Sequence, residues 1–213
     1  MFPMQAYGWD SLPKQVPILI KNATVWTCEA EGIIQADILI RDGKISTIAK
    51  VLDVVDKNTI VIDAKGMHVT PGIIDEHSHI GIHKGVNEGS NAITSEVRIG
   101  DVISNYDINI YRQLAGGVTA VQLLHGSANP VGGQSALIKL RWGKTPEEMK
   151  IDNADGFIKF ALGENVKQSN WGSYNTIRFP QSRMGVEQIY YDAFIRAKEY
   201  ERSWKMFEQQ SAG

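Results

Sequence analysis

Between residues 17 and 70 the apolar positions come in short, closely spaced groups with polar residues between them. Ile18, Ile20, Ala23 and Val25 fall on either side of Lys21-Asn22, which predicts two short strand segments around a turn. Residues 36–41 and 44–49 flank Asp42-Gly43, the strongest short hairpin signal in the chain, because both turn positions require a positive φ that Asp or Asn followed by Gly tolerates. Residues 59–63 predict another strand, closed by Lys65-Gly66. No helical period interrupts the region, so it reads as a small antiparallel sheet layer. A layer of that size is marginal on its own and is expected to pack on something else.

After Pro71 the pattern changes. Apolar runs at 73–79, 118–125, 136–140 and 156–162 alternate with polar and helical segments. Residues 109–115 form a short helix stopped by Gly116-Gly117. Buried runs separated by helices predict βα units on a parallel sheet, four strands in all. The clearest helix comes last. Val186, Ile189, Tyr190, Ala193, Phe194, Ala197, Tyr200, Trp204 and Phe207 recur at spacings of three and four, with Arg196, Lys198, Glu199 and Arg202 opposite. That stripe is expected to pack the helix on the sheet.

Composition narrows the function classes. Of the 213 residues 43% are hydrophobic and 22% charged, the make-up of a globular protein. A net charge of −2 gives no electrostatic reason to expect nucleic acid or an anionic membrane as partner. Cys28 stands alone, so no disulfide forms within the chain. No run approaches the ~18 apolar residues of a membrane span. Residues 1–16 read as an N-terminal extension without a signal peptide. The expected location is cytoplasmic by default, and extracytoplasmic if the chain is processed from a longer precursor.

Candidate chemistry begins at Pro71-Gly72-Ile73-Ile74-Asp75-Glu76-His77-Ser78-His79-Ile80, followed by a loop bearing Gly81, Gly85 and Gly89. Residues i and i+2 of a strand project from one face, so His77 and His79 aim two imidazoles at one point. Imidazole nitrogen is a favoured ligand of zinc and similar divalent ions.

A β-rich segment that hands into PGIIDEHSHIG resembles the amidohydrolase superfamily, metal-dependent hydrolases built on a (β/α)8 barrel. QLAGGVTAVQLLHGSANPVGGQSALIKLRWG and GFIKFALGENVKQSNWG are similar to its imidazolonepropionase-like branch. The resemblance implies an α/β chain: the N-terminal half of such a barrel at 71–213, preceded by part of a small β-sandwich at 17–70. It implies that His77 and His79 are metal ligands of the first barrel strand. It also implies that Lys159, at the end of the fourth, combines with CO2 to give a carbamate shared by two ions, zinc above all. The bland alternative is a lysine that reaches the strand end or pairs with Glu164; Lys139 is a weaker competitor. His125, ending the second strand, either touches substrate, supports the site from behind or is simply hydrogen-bonded. His83 is a weaker candidate and His68 reads as structural. Asn129-Pro130 and Gly132-Gly133-Gln134 read as a loop, shaping a pocket or merely connecting.

The chain departs from the family pattern after Lys159. The family also draws histidines from the fifth and sixth strands and an aspartate from the eighth, whereas the five histidines here end at His125. Residues 71–213 fall well short of the ~250 of a complete barrel. The expected function is metal-dependent hydrolysis of a cyclic or peptide-like amide. The expected partner is the missing C-terminal half, or a second copy. The alternatives are an inactive binding or assembly module and a mononuclear, deaminase-like member in which Lys159 stays unmodified.

Overall fold

A computed structural model describes residues 14–54, 56–172 and 178–211. The extension expected at 1–16 therefore lies outside the described residues except for 14–16. The chain divides into two compact units, the first ending at Ile73 and the second beginning at Ile74.

The first unit is one five-stranded sheet. β1 (Ile18–Trp26), β2 (Ile33–Arg41), β3 (Lys44–Ala49) and β4 (Ile60–Asp63) lie in the order β3-β2-β1-β4, and β5 (His68–Val69) also pairs with β1. The hairpin turn falls where expected, with Asp42 and Gly43 at φ 53° and 71°. Two expectations are corrected. Lys21-Asn22 is no turn between strands: β1 runs through it, with Asn22 at φ 61° and a register shift between Ile20 and Ala23. The sheet is also not purely antiparallel, because β4 and β5 both run parallel to β1. After β3 the chain crosses to the far edge of the sheet, and a strand entering there after such a crossover need not reverse direction.

Asp37 ties that crossover down. Only 2% exposed, its carboxylate accepts the backbone N–H groups of Asn22 (2.8 Å) and Leu52 (2.9 Å) and lies 4.0 Å from the Lys21 ammonium. Burial alone would raise its pKa; the two amides and Lys21 outweigh burial and hold it below the usual carboxylate range. Asp37→Ala is expected to cost about 2–4 kcal/mol, because two inward-facing donors lose their acceptor. The folded pKa is depressed, so the aspartate's contribution is complete above the ordinary carboxylate value and fades as pH falls through the lower folded value. Urea unfolding at pH 7 should show the gap between variant and wild type, and it should narrow below about pH 4. Equal stability at pH 7 would contradict this reading.

In the second unit β6 (Ile73–Ser78), β7 (Val118–Leu123) and β9 (Ala136–Lys139) form one sheet in that order. β8 (Val131–Gln134) and β10 (Ile158–Phe160) form another. α1 (Ile108–Ala115) begins at Asp107, whose side chain accepts the Asn109 N–H, and α2 (Pro146–Met149) begins with a reciprocal Thr145–Glu148 capping box. Ile110 of α1 and Met149 of α2 pack with Val121, Leu123 and Ile138 into a core.

The expectation of four parallel strands is corrected. β9 runs antiparallel to β7, with Leu123 opposite Ala136, and β10 runs antiparallel to β8. A parallel return needs a crossover of a dozen or more residues, usually a helix. The segment joining β7 to β9 holds no helix and spends itself on β8, a strand whose glycines read as a loop in the sequence.

α3 (Arg183–Ser211) matches the predicted last helix, but only part of its stripe is covered. Val186 is buried and Phe160 stacks on Phe194, whereas Tyr200, Trp204 and Phe207 are exposed and touch one another. Lengths explain the correction. A helix of 29 residues is ~43 Å long, and the three-residue β10 offers ~10 Å of strand.

Candidate active site

The two histidines sit where β6 leaves its sheet. Ser78 is buried and its carbonyl accepts the Leu124 N–H at 3.0 Å, so the end of β6 is fixed to the end of β7. The residues on either side of Ser78 face the other way, and both are exposed. The imidazoles of His77 and His79 meet edge to face with centroids 5.3 Å apart. His79 Nδ1 lies 2.8 Å from the Leu124 carbonyl. A carbonyl only accepts, so Nδ1 carries the proton and Nε2 keeps its lone pair, the arrangement by which metal-binding histidines are commonly held.

Lys159, in the middle of β10, brings Nζ to 3.4 Å from His77 Nε2. Partial burial lowers its pKa. Glu164, the alternative partner, is engaged instead by Lys167, Arg183 and Asn170, which hold its carboxyl low. Lys139 is exposed on β9. Strands from two different sheets thus bring two imidazoles and one amine together. Among the described residues no three His, Cys, Asp or Glu side chains converge on a metal-sized point, so the histidine pair has Lys159 as its third nitrogen neighbour.

His125 is built differently. It is 1% exposed, its Nε2 accepts the Glu88 N–H at 2.8 Å, and its Nδ1 faces the Gly126 carbonyl at 2.8 Å. Those partners fix a neutral ring protonated at Nδ1 and occupy both nitrogens. With both ring nitrogens engaged and the ring buried, the arrangement has the form of the hydrogen-bonded reading of His125. β8 packs directly on this ring: a Cβ at Gly133 would meet Val97 Cγ2 at 2.7 Å, the Val97 carbonyl at 2.8 Å and His125 Cδ2 at 3.3 Å. The glycines that disguised β8 as a loop are there for close approach. Asn129, fully buried, points its amide at the carbonyls of Glu88 and Asn91, and Arg178 reaches those of Gly89 and Ala128. His68 accepts the Trp26 indole N–H in the first unit.

No family model matches the chain. Amidohydrolase tasK of Hapsidospora irregularis is 32% identical over 219 residues, taking in 87% of this chain and 22% of that protein. The crystal structure of an amidohydrolase from Thermotoga maritima MSB8 matches with a TM-score of 0.72 at 35% identity, over 89% of this chain and 49% of its own. The chain belongs to the amidohydrolase superfamily. A D-hydantoinase of Geobacillus stearothermophilus is 50% identical over 62 residues, 29% of this chain and 12% of that enzyme. This amidohydrolase chain therefore spans from about an eighth to about half the length of these relatives. It shares their mixed α/β character.

Two backbone partners carried no residue signal in the sequence: the Leu124 carbonyl beside His79 and the Glu88 N–H that donates to His125.

Proposed function

We propose that this amidohydrolase chain carries the first part of a metal-dependent hydrolase of carbon–nitrogen bonds, acting on a cyclic or peptide-like amide. The observation that supports it is the convergence of His77, His79 and Lys159. The donor set suits a divalent ion such as zinc: His79 presents a lone pair at Nε2 because Nδ1 is held by Leu124, and His77 presents Nε2 toward Lys159. A bound divalent ion supplies a water of lowered pKa and polarises the scissile carbonyl. Lys159, when neutral, adds its nitrogen lone pair to CO2 and releases one proton. The resulting carbamate would be an anion that, with the His77 and His79 imidazoles, would hold the divalent ion or ions. We assign Lys159 this role in the site, and His125 that of a rigid neutral support beneath the Glu88 loop.

In this reading the remaining ligands and the proton-transferring group come from outside the chain, in the part of the fold that the relatives have and these residues do not span. Exposed apolar side chains around β10 and α3, Leu162 and Tyr191 among them, are surfaces that the complementary part of a barrel would cover. The imidazolonepropionase-like branch belongs to the same proposal.

The assay uses the chain joined with its complementary half. Cyclic ureides, lactams and N-acyl dipeptides are offered before and after chelation and again after zinc is restored. Hydrolysis that disappears with chelator and returns with zinc is the expected result. A zinc-loaded assembly that hydrolyses none of them would favour the binding or assembly module instead.

A further inference from the structure

Tyr190 does more than fill the apolar stripe. Its hydroxyl lies 2.7 Å from the Pro130 carbonyl and 2.8 Å from the Ala161 carbonyl. Pro130 O also accepts the Ala161 N–H at 3.0 Å, so three groups close a small hydrogen-bonded ring where β8 begins and β10 ends. The Phe160 ring rests 5.9 Å from the Tyr190 ring and 6.0 Å from that of Phe194. Lys159 is the residue before Phe160. Burial raises the phenol's pKa, with the Ala161 bond pulling the other way, so at neutral pH the group is an O–H that donates. One hydrogen shared between two carbonyls holds both of them close, and without it their oxygens would repel. Pairing with Gln134 and Val131 of β8 leaves a register shift between Ile158 and Phe160, so strand pairing alone does not fix the residue between them.

We propose that Tyr190 is a positioning residue for the candidate site, whose hydroxyl fixes the β8–β10 junction in the register that brings Lys159 Nζ to His77 Nε2. The placement stands on these distances; only the purpose of placing Lys159 there rests on the hydrolase reading. Tyr190 contacts backbone carbonyls and an aromatic ring, and it acts through Lys159.

The test is Tyr190→Phe, which keeps the ring and removes the hydroxyl, read in the intact chain by two measurements. The first is the NMR cross-peak between the Lys159 ε-methylene and the His77 ring, expected in the wild type and weakened severalfold in the variant. Asp37→Ala, destabilised in the other unit, should leave that cross-peak unchanged, which a general loss of stability would not. The second is zinc affinity, expected to fall about tenfold, as when an outer support of a ligand is removed. A cross-peak absent from the wild type, or equally strong in Tyr190→Phe, overturns the inference, and so does a Tyr190→Phe chain that fails to fold, since a global role then accounts for the residue. A wild type that shows the cross-peak but binds no zinc leaves the positioning intact and removes the hydrolase reading instead.

Discussion

Lys159→Ala in the zinc-loaded, assembled enzyme is expected to lower kcat about a hundredfold or more, close to 3 kcal/mol of transition-state stabilisation, and to halve the metal content. Charge sets this loss. Two divalent ions brought close together repel, and two neutral imidazoles do nothing to offset that. A carbamate on Lys159 would supply a negative charge beside His77, whereas an alanine supplies none and leaves a gap there. The partly buried position of Lys159 favours the neutral amine that this chemistry needs. The measurement is metal content per active unit together with kcat and KM for the best amide substrate. Unchanged metal and unchanged kcat would make Lys159 an ordinary strand residue and favour the mononuclear reading.

The sequence was most legible where one local signal governs one local structure. Asp42-Gly43 marks a two-residue hairpin because few residue pairs tolerate two positive φ values, and the turn stands there. Gly116-Gly117 ends α1 for the same kind of reason, with Gly117 at φ 93°. His77 and His79 share a face because strands alternate, and their rings do meet.

Pairing direction was much less legible. An apolar run such as 136–140 says that a strand is buried, and nothing about which way its neighbour runs. That was decided by β8, whose glycines look like turn residues until Val97 and His125 are seen against them. Likewise the aromatic stripe of α3 predicted an apolar face correctly but not what covers it, which depends on the length of the neighbouring strand. The hydrogen bonds of His125 were hidden for another reason. Its partners are a backbone N–H and a backbone carbonyl, which carry no residue identity.

His77→Ala combined with His79→Ala is expected to abolish stoichiometric zinc. The two imidazoles come from one strand end, held by the Ser78 and Leu124 backbone bonds, and no third His, Cys, Asp or Glu among the described residues stands ready to replace them. Losing both leaves Lys159 alone, and an amine by itself does not retain zinc against buffer. Both positions are exposed, so the fold should survive the change with unaltered circular dichroism. The decisive measurement is elemental analysis of the zinc-loaded chain after gel filtration, wild type beside the double variant. About one zinc per wild-type chain and essentially none in a folded double variant is the expected result. Equal zinc in the two would contradict the assignment of this site.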